Sequence, residues 1–200
     1  MDVKKLIYSS LTLGIKDISE KAVEFDKKAG KLITIIGIPS AFLLHGYVGF
    51  IFGSIKANPW WSSVLMPIVF LFSAIVSGIA LMILLYMITT MLRKKEIDMI
   101  CMNKLGSFLL YAMILDFSLE ILDFIHRIYQ SEESIKILSQ LLFSRLFISM
   151  IVIQVFIGMI IPMILLVWVK FSKLTKELKI IVYFVTTILV EIGIFSTRWN

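Results

Sequence analysis

Between Gly37 and Ala80 the chain reads GIPSAFLLHGYVGFIFGSIKANPWWSSVLMPIVFLFSAIVSGIA, two long apolar stretches joined by a short aromatic turn. Few folds are open to such a segment. The bilayer core holds no water to pair with backbone N–H and C=O groups, so a spanning segment must be a helix or a strand of a closed barrel. The apolar runs here are about three times the ~10 residues of a barrel strand and do not alternate, so they predict helices. The first of the two carries His45 together with Gly46, Gly49 and Gly53. Lipid requires neither an imidazole nor a glycine stripe, and the hairpin therefore reads as built around something other than lipid.

The rest of the chain repeats the pattern. Of its 200 residues 59% are hydrophobic and 17% charged, too few charges to cover a soluble domain of this size. The apolar windows place five spans, A to E, at Leu32 to Ile55, Val64 to Leu92, Ile100 to Tyr129, Leu141 to Val169 and Leu178 to Thr197. The fold class is therefore an all-α polytopic transmembrane bundle over residues 32–200, preceded by a charged interfacial segment over 1–31. That segment has apolar Ile18, Ala22 and Phe25, which suit a short interfacial helix or a solvated connector. It lacks the compact apolar core and small-residue site of a cleavable signal peptide. The single cysteine, Cys101, excludes an internal disulfide and a thiolate metal or iron–sulfur site in the chain. No metal site and no nucleic-acid partner are expected.

Basic residues set the orientation, because Lys and Arg stay in the cytoplasm while Asp and Glu count for little. The leading segment holds Lys4, Lys5, Lys16, Lys21, Lys27, Lys28 and Lys31. The B–C connection adds Arg93, Lys94, Lys95 and Lys104, and the D–E connection Lys170, Lys173, Lys176 and Lys179, for 15 on one side. Lys56, Arg127, Lys136, Arg145 and Arg198 give 5 on the other. The N-terminus is expected in the cytoplasm and the protein in the cytoplasmic membrane of a prokaryote.

Polar residues inside spans are costly and mark function by default. In span A, His45, Gly49 and Gly53 share one helical face at i, i+4 and i+8, where a neighbouring helix or a ligand can approach. Ala74 and Gly78 repeat that spacing in span B, and Pro39 is expected to bend span A. Span C is the most polar. Asp116, Glu120, Asp123 and Arg127 form one continuous stripe that should face the bundle interior, an aqueous cavity or a basic partner. Carboxylates desolvated beside one another are suited to accept protons. At ~1.5 Å per residue, Asp116 and His45 fall near the midplane, Glu120 and Glu191 about 5–8 Å toward the outside, and Arg145 near the outer boundary. That asymmetry predicts a site opening outward, near the turn Asn58-Pro59-Trp60-Trp61.

Several motifs together resemble the NrfD/PsrC-type membrane subunits, a family that includes the HybB and DsrP subunits. They are Gly37-Ile38-Pro39, Leu44-His45-Gly46-Tyr47-Val48-Gly49, Lys56-Ala57-Asn58-Pro59-Trp60-Trp61, Leu65-Met66-Pro67 with Ser73-Ala74 and Ser77-Gly78, and Arg198-Trp199-Asn200. The resemblance is specific in the hairpin and looser through spans C and D. It implies a haem-free subunit of a respiratory redox complex that binds a quinone, menaquinone or similar, near the outer leaflet. It also implies electron exchange with an extracytoplasmic ferredoxin-like iron–sulfur partner. Only two histidines are present, His45 and a displaced His126, which agrees with the absence of haem. Family members carry further helices before and after this segment, so the chain reads as an interior piece of a longer protein.

On this reading His45, Tyr47 and Gly49 are the candidates for contacting quinone, although on a regular helix Tyr47 points well away from His45. Asp116, Glu120 and Glu191 are candidate proton carriers, Arg145 and Arg198 candidate counter-charges, and Pro59, Trp60 and Trp61 the candidate partner-docking turn. Two other classes use the same residues. A proton- or ion-translocating protein would need the buried acids without a redox partner, and a membrane anchor would need only the tryptophan turn.

Overall fold

The computed structural model describes residues 19–55, 63–130, 140 and 147–199. It is helical, with no strand among the described residues. In chain order the elements are α1 (Glu20–Gly53), α2 (Met66–Leu92), α3 (Met99–Gln130), a π-helical segment π1 (Phe147–Ile160), α4 (Ile161–Phe171) and α5 (Lys176–Trp199). Four stretches are long and apolar enough to cross a membrane: α1, α2, π1 with α4, and α5. α2 and α5 lie within two residues of spans B and E, α1 contains most of span A but begins earlier, at Glu20, and π1 with α4 covers the described part of span D. Span C is a 32-residue helix, α3, at its expected place, set apart by its acidic stripe. The Trp60–Trp61 turn, Pro59 and Arg145 lie outside the described residues, as does the side chain of Arg127.

The chain divides into two compact units, Met1–Leu43 and Leu44–Asn200. The described part of the first is the leading stretch of α1. Ser19 accepts the Ala22 N–H at 3.3 Å, an N-cap for the helix. Residues 20–31 belong to the same helix as the start of span A rather than to a separate element. Thr34 and Ser40 return their hydroxyls to the carbonyls of Gly30 and Ile36 at 2.8 Å, which satisfies both groups on an apolar surface that includes the exposed Ile33 and Leu43.

The second unit is a helix bundle. α2 packs against α3 and α5, α4 against α3 and α5, and π1 against α5, closing a ring of four. Val76, Ala80, Ile83, Met87, Met102, Leu109, Leu166 and Val190, from all four members, make its core. Glycines set the closest approaches. A Cβ on Gly49 would lie 2.6 Å from the Pro67 Cα and one on Gly53 2.6 Å from the Ser63 carbonyl, so the end of α1 rests on the start of α2 through bare backbone. Gly158 of π1 and Gly193 of α5 face each other with no room for a Cβ on either. The winding changes from π to α just before Pro162, which has no N–H to give to the helical ladder. Gly106 of α3 accommodates the ring of Tyr183, whose hydroxyl donates to Asn103 at 3.1 Å.

The connections are built from local rules. α2 ends in a Schellman motif, with Lys95 N–H donating to Thr90 and Lys94 N–H to Met91, and Lys94 at φ 53° in the left-handed position usually given to glycine. Asp98 caps α3 by accepting the N–H of Ile100 at 2.8 Å, while its own N–H donates to the Tyr86 hydroxyl at 3.0 Å.

Candidate functional site

Two polar groupings lie in the half of the bundle where α1 ends and α2 begins. The first is a cavity of about 610 Å³ between the end of α1, α2 and α5. Leu44, His45 and Val48 line it from α1, Phe70, Ala74, Ser77 and Gly78 from α2, and Glu191, Ile194, Phe195 and Arg198 from α5. Leu44 and Phe195 are exposed on the apolar surface of the bundle. The cavity is thus a crevice reached through the lipid-facing side, with His45, Ser77 and Glu191 less exposed than its apolar mouth. Ala74 and Gly78 help create it, and a Cβ at Gly78 would meet nothing within 4 Å.

Glu191 is held by Ser77, whose hydroxyl donates to Oε2 at 3.0 Å. Its other oxygen, Oε1, is buried without a hydrogen-bond partner among the described residues. Arg198 lies over the Phe70 ring at 4.0 Å from its centroid and donates to the Phe70 carbonyl at 3.2 Å, and Phe70 in turn stacks on Phe52. These contacts fix a cation at the rim of the cavity.

The second grouping is the acidic stripe of α3. Asp116 is buried, 2% exposed, and Glu120 accepts from Gln154 of π1 at 3.3 Å. Asp116 Oδ1 and Glu120 Oε1 have no hydrogen-bond partner among the described residues. Arg198 is close enough to both carboxylates to act on each electrostatically. The guanidinium that lines the cavity is thus also linked electrostatically to the acid pair. Asp123, also buried, accepts from Ser63, whose oxygen receives the Leu65 N–H at 3.1 Å. That bond ties α3 to the start of α2.

Of the candidates read from sequence, the fold brings His45, Glu191 and Arg198 onto one cavity, which Asp116 and Glu120 do not line. Tyr47 is 62% exposed and does not line the cavity, and Gly49 is occupied in packing against Pro67. Phe70 and Gln154 are neighbours of these groups that sequence reading missed, and Ser77 stands out in the sequence only as part of a motif. An aromatic, a serine and a glutamine within an apolar run carry no periodic signal, and only the partner across the helix interface gives them a role.

A ring of apolar helices around desolvated carboxylates, with a crevice open to the lipid side, defines a multi-pass membrane protein with a polar interior. The chain matches the family model described as polysulphide reductase, NrfD, over residues 4–200, and it belongs to the NrfD family. It is similar to the C subunit of selenate reductase from Mesobacillus selenatarsenatis, 31% identical over 201 residues, which covers 98% of this chain and 45% of that protein. The chain thus spans less than half the length of this curated relative. No solved structure matches.

Proposed function

We propose that the chain is the quinone-reacting part of a membrane subunit in a respiratory reductase complex, with the cavity between α1, α2 and α5 as the quinone site. The observation that carries this is the crevice itself. It opens through the apolar surface, is walled by Val48, Phe70, Ile194 and Phe195, and has His45, Ser77 and Glu191 inside with Arg198 at its rim. A lipid-soluble ring with two oxygens needs that combination, and a volume of about 610 Å³ lies within the ~300–1,000 Å³ typical of small-molecule sites. The unpartnered Oε1 of Glu191 is a polar atom that a bound ligand would satisfy. Family membership and the reductase named in the relative support the assignment.

A bound quinone would supply two-electron, two-proton redox chemistry. The chain's own residues would orient it and handle the protons. His45 and Arg198 offer hydrogen bonds to its oxygens, and Glu191, held by the Ser77 hydroxyl, is the carboxylate placed to exchange a proton directly. Asp116 and Glu120 do not line the cavity, so their role is as a reserve of proton-accepting groups linked electrostatically to Arg198. Electrons would pass to or from an extracytoplasmic iron–sulfur partner, in the cytoplasmic membrane of a prokaryote.

The acid pair with Gln154 and Arg198 also favours a second reading, ion or proton translocation without redox chemistry. Fluorescence quenching of a quinol analogue by the purified chain separates the two. The quinone reading expects saturable binding that weakens about tenfold or more, ~1.4 kcal/mol, in Glu191→Gln and in His45→Ala, with Tyr47→Phe unchanged. Absence of saturable binding, or equal binding by all variants, would overturn it. Proton flux in reconstituted vesicles without any quinone would favour the translocator.

A further inference from the structure

The opposite end of the bundle has chemistry that a quinone site does not use. The α2–α3 and α4–α5 connections meet there. Lys176 at the start of α5 pairs with Glu96 at 2.8 Å, and Ile97 and Leu174 join the same core. Residues 93–104 and 170–179 carry eight cations against three carboxylates. Two of those carboxylates are committed. Asp98 caps α3, and Glu96 is engaged by Lys176, whose hydrogen bond and charge hold its carboxyl below the ordinary value.

Arg93, Lys94, Lys95 and Lys173 are exposed and have no carboxylate partner among the described residues. Lys94 occupies the left-handed position of the Schellman motif, where a residue with a Cβ costs on the order of 1 kcal/mol relative to glycine. The chain accepts that cost and gains a cation. Next to these cations in the chain, at the ends of α2 and α4, stand the apolar Leu92 and Phe171, each 79% exposed. Cations next to exposed apolar side chains match a molecule with a phosphate at the surface and acyl chains below it.

We infer that this end of the bundle binds an anionic phospholipid, its phosphate held by Arg93, Lys94, Lys95 and Lys173 and its chains lying against Leu92 and Phe171. Attraction of an anionic lipid surface to such a cluster grows with each Lys or Arg near it.

The test uses the 200-residue chain in nanodiscs of phosphatidylcholine mixed with phosphatidylglycerol, with retained lipid identified by native mass spectrometry after detergent extraction. Phosphatidylglycerol should be enriched at least about tenfold over its share of the bilayer. The enrichment should fall to about twofold or less in Arg93→Gln/Lys94→Gln/Lys95→Gln/Lys173→Gln and persist in a variant that removes the same charge from α1, Lys21→Gln/Lys27→Gln/Lys28→Gln/Lys31→Gln. Excess inorganic phosphate should not displace the lipid. No enrichment in the unmodified chain, equal loss in both variants, or displacement by phosphate would overturn the inference. Should the first variant melt lower than the unmodified chain, Lys173→Gln alone replaces it, and a partial loss of enrichment is then expected. These readouts do not involve quinone, so they stand or fall separately from the proposed redox function.

Discussion

A methyl group at Gly78 would meet nothing within 4 Å, whereas one at Gly49 would collide with the backbone of α2. The two glycines share a spacing class in the sequence, yet one keeps a cavity open and the other lets helices touch. Gly78→Leu should therefore narrow the cavity without disturbing the bundle. Quinol-analogue affinity is expected to fall about tenfold or more while the melting temperature stays unchanged or rises, since Gly within a helix costs ~0.5–1 kcal/mol relative to Ala. Unchanged affinity would remove the cavity from the site. The acidic residues divide in the same way. Asp116, Glu120 and Asp123 form one stripe in the sequence, but Glu120 is bound by Gln154 and Asp123 by Ser63, so the stripe is shared between two different neighbouring segments.

The elements obey two separate sets of constraints. Helix ends follow local chemistry. Lys94 in a left-handed conformation is the costly choice at the end of α2, and Lys94→Gly should stabilise the protein by about 1 kcal/mol in equilibrium unfolding while weakening retention of anionic lipid. A loss of stability would mean that the Lys94 side chain contributes more than its backbone costs. Helix contacts follow size. Gly158 and Gly193 face each other with no space for a side chain, so Gly193→Ala should force π1 and α5 apart at a cost of ~1–3 kcal/mol, read from unfolding in detergent. Neutral behaviour there would show that the π-helical winding of π1 adjusts to absorb the added methyl.

At the scale of the whole molecule, the polar cavity and the cation cluster occupy opposite ends of the bundle. The distribution of Lys and Arg predicts that the cation cluster faces the cytoplasm. The chain has one cysteine, so a Cys101→Ser background carrying Lys94→Cys reports this directly. A membrane-impermeant maleimide should label inside-out vesicles and leave right-side-out vesicles unlabelled. The reverse pattern would put the cavity in the cytoplasmic half and reverse the expected side of the electron-transfer partner.

Run length and polarity along the chain are enough to specify the helices and the residues that cannot face lipid. Apolar runs too long for strands admit only helices where backbone groups have no water, and His45, Asp116, Glu120 and Glu191 announce themselves because ionisable groups are costly in hydrocarbon. Spans B, C and E were legible to within about 2–4 residues for that reason. Which of those groups meet depends on how the helices pack. His45, Glu191 and Arg198 are separated by up to 153 positions in the chain, yet they line one cavity because α5 packs on α2 in the register set by Ser77–Glu191 and Phe70–Arg198. Tyr47, only two residues from His45, faces away because successive side chains on a helix point about 100° apart. Periodicity specifies the face of one helix. The partner of that face depends on packing between helices distant in the chain, and no local pattern encodes it.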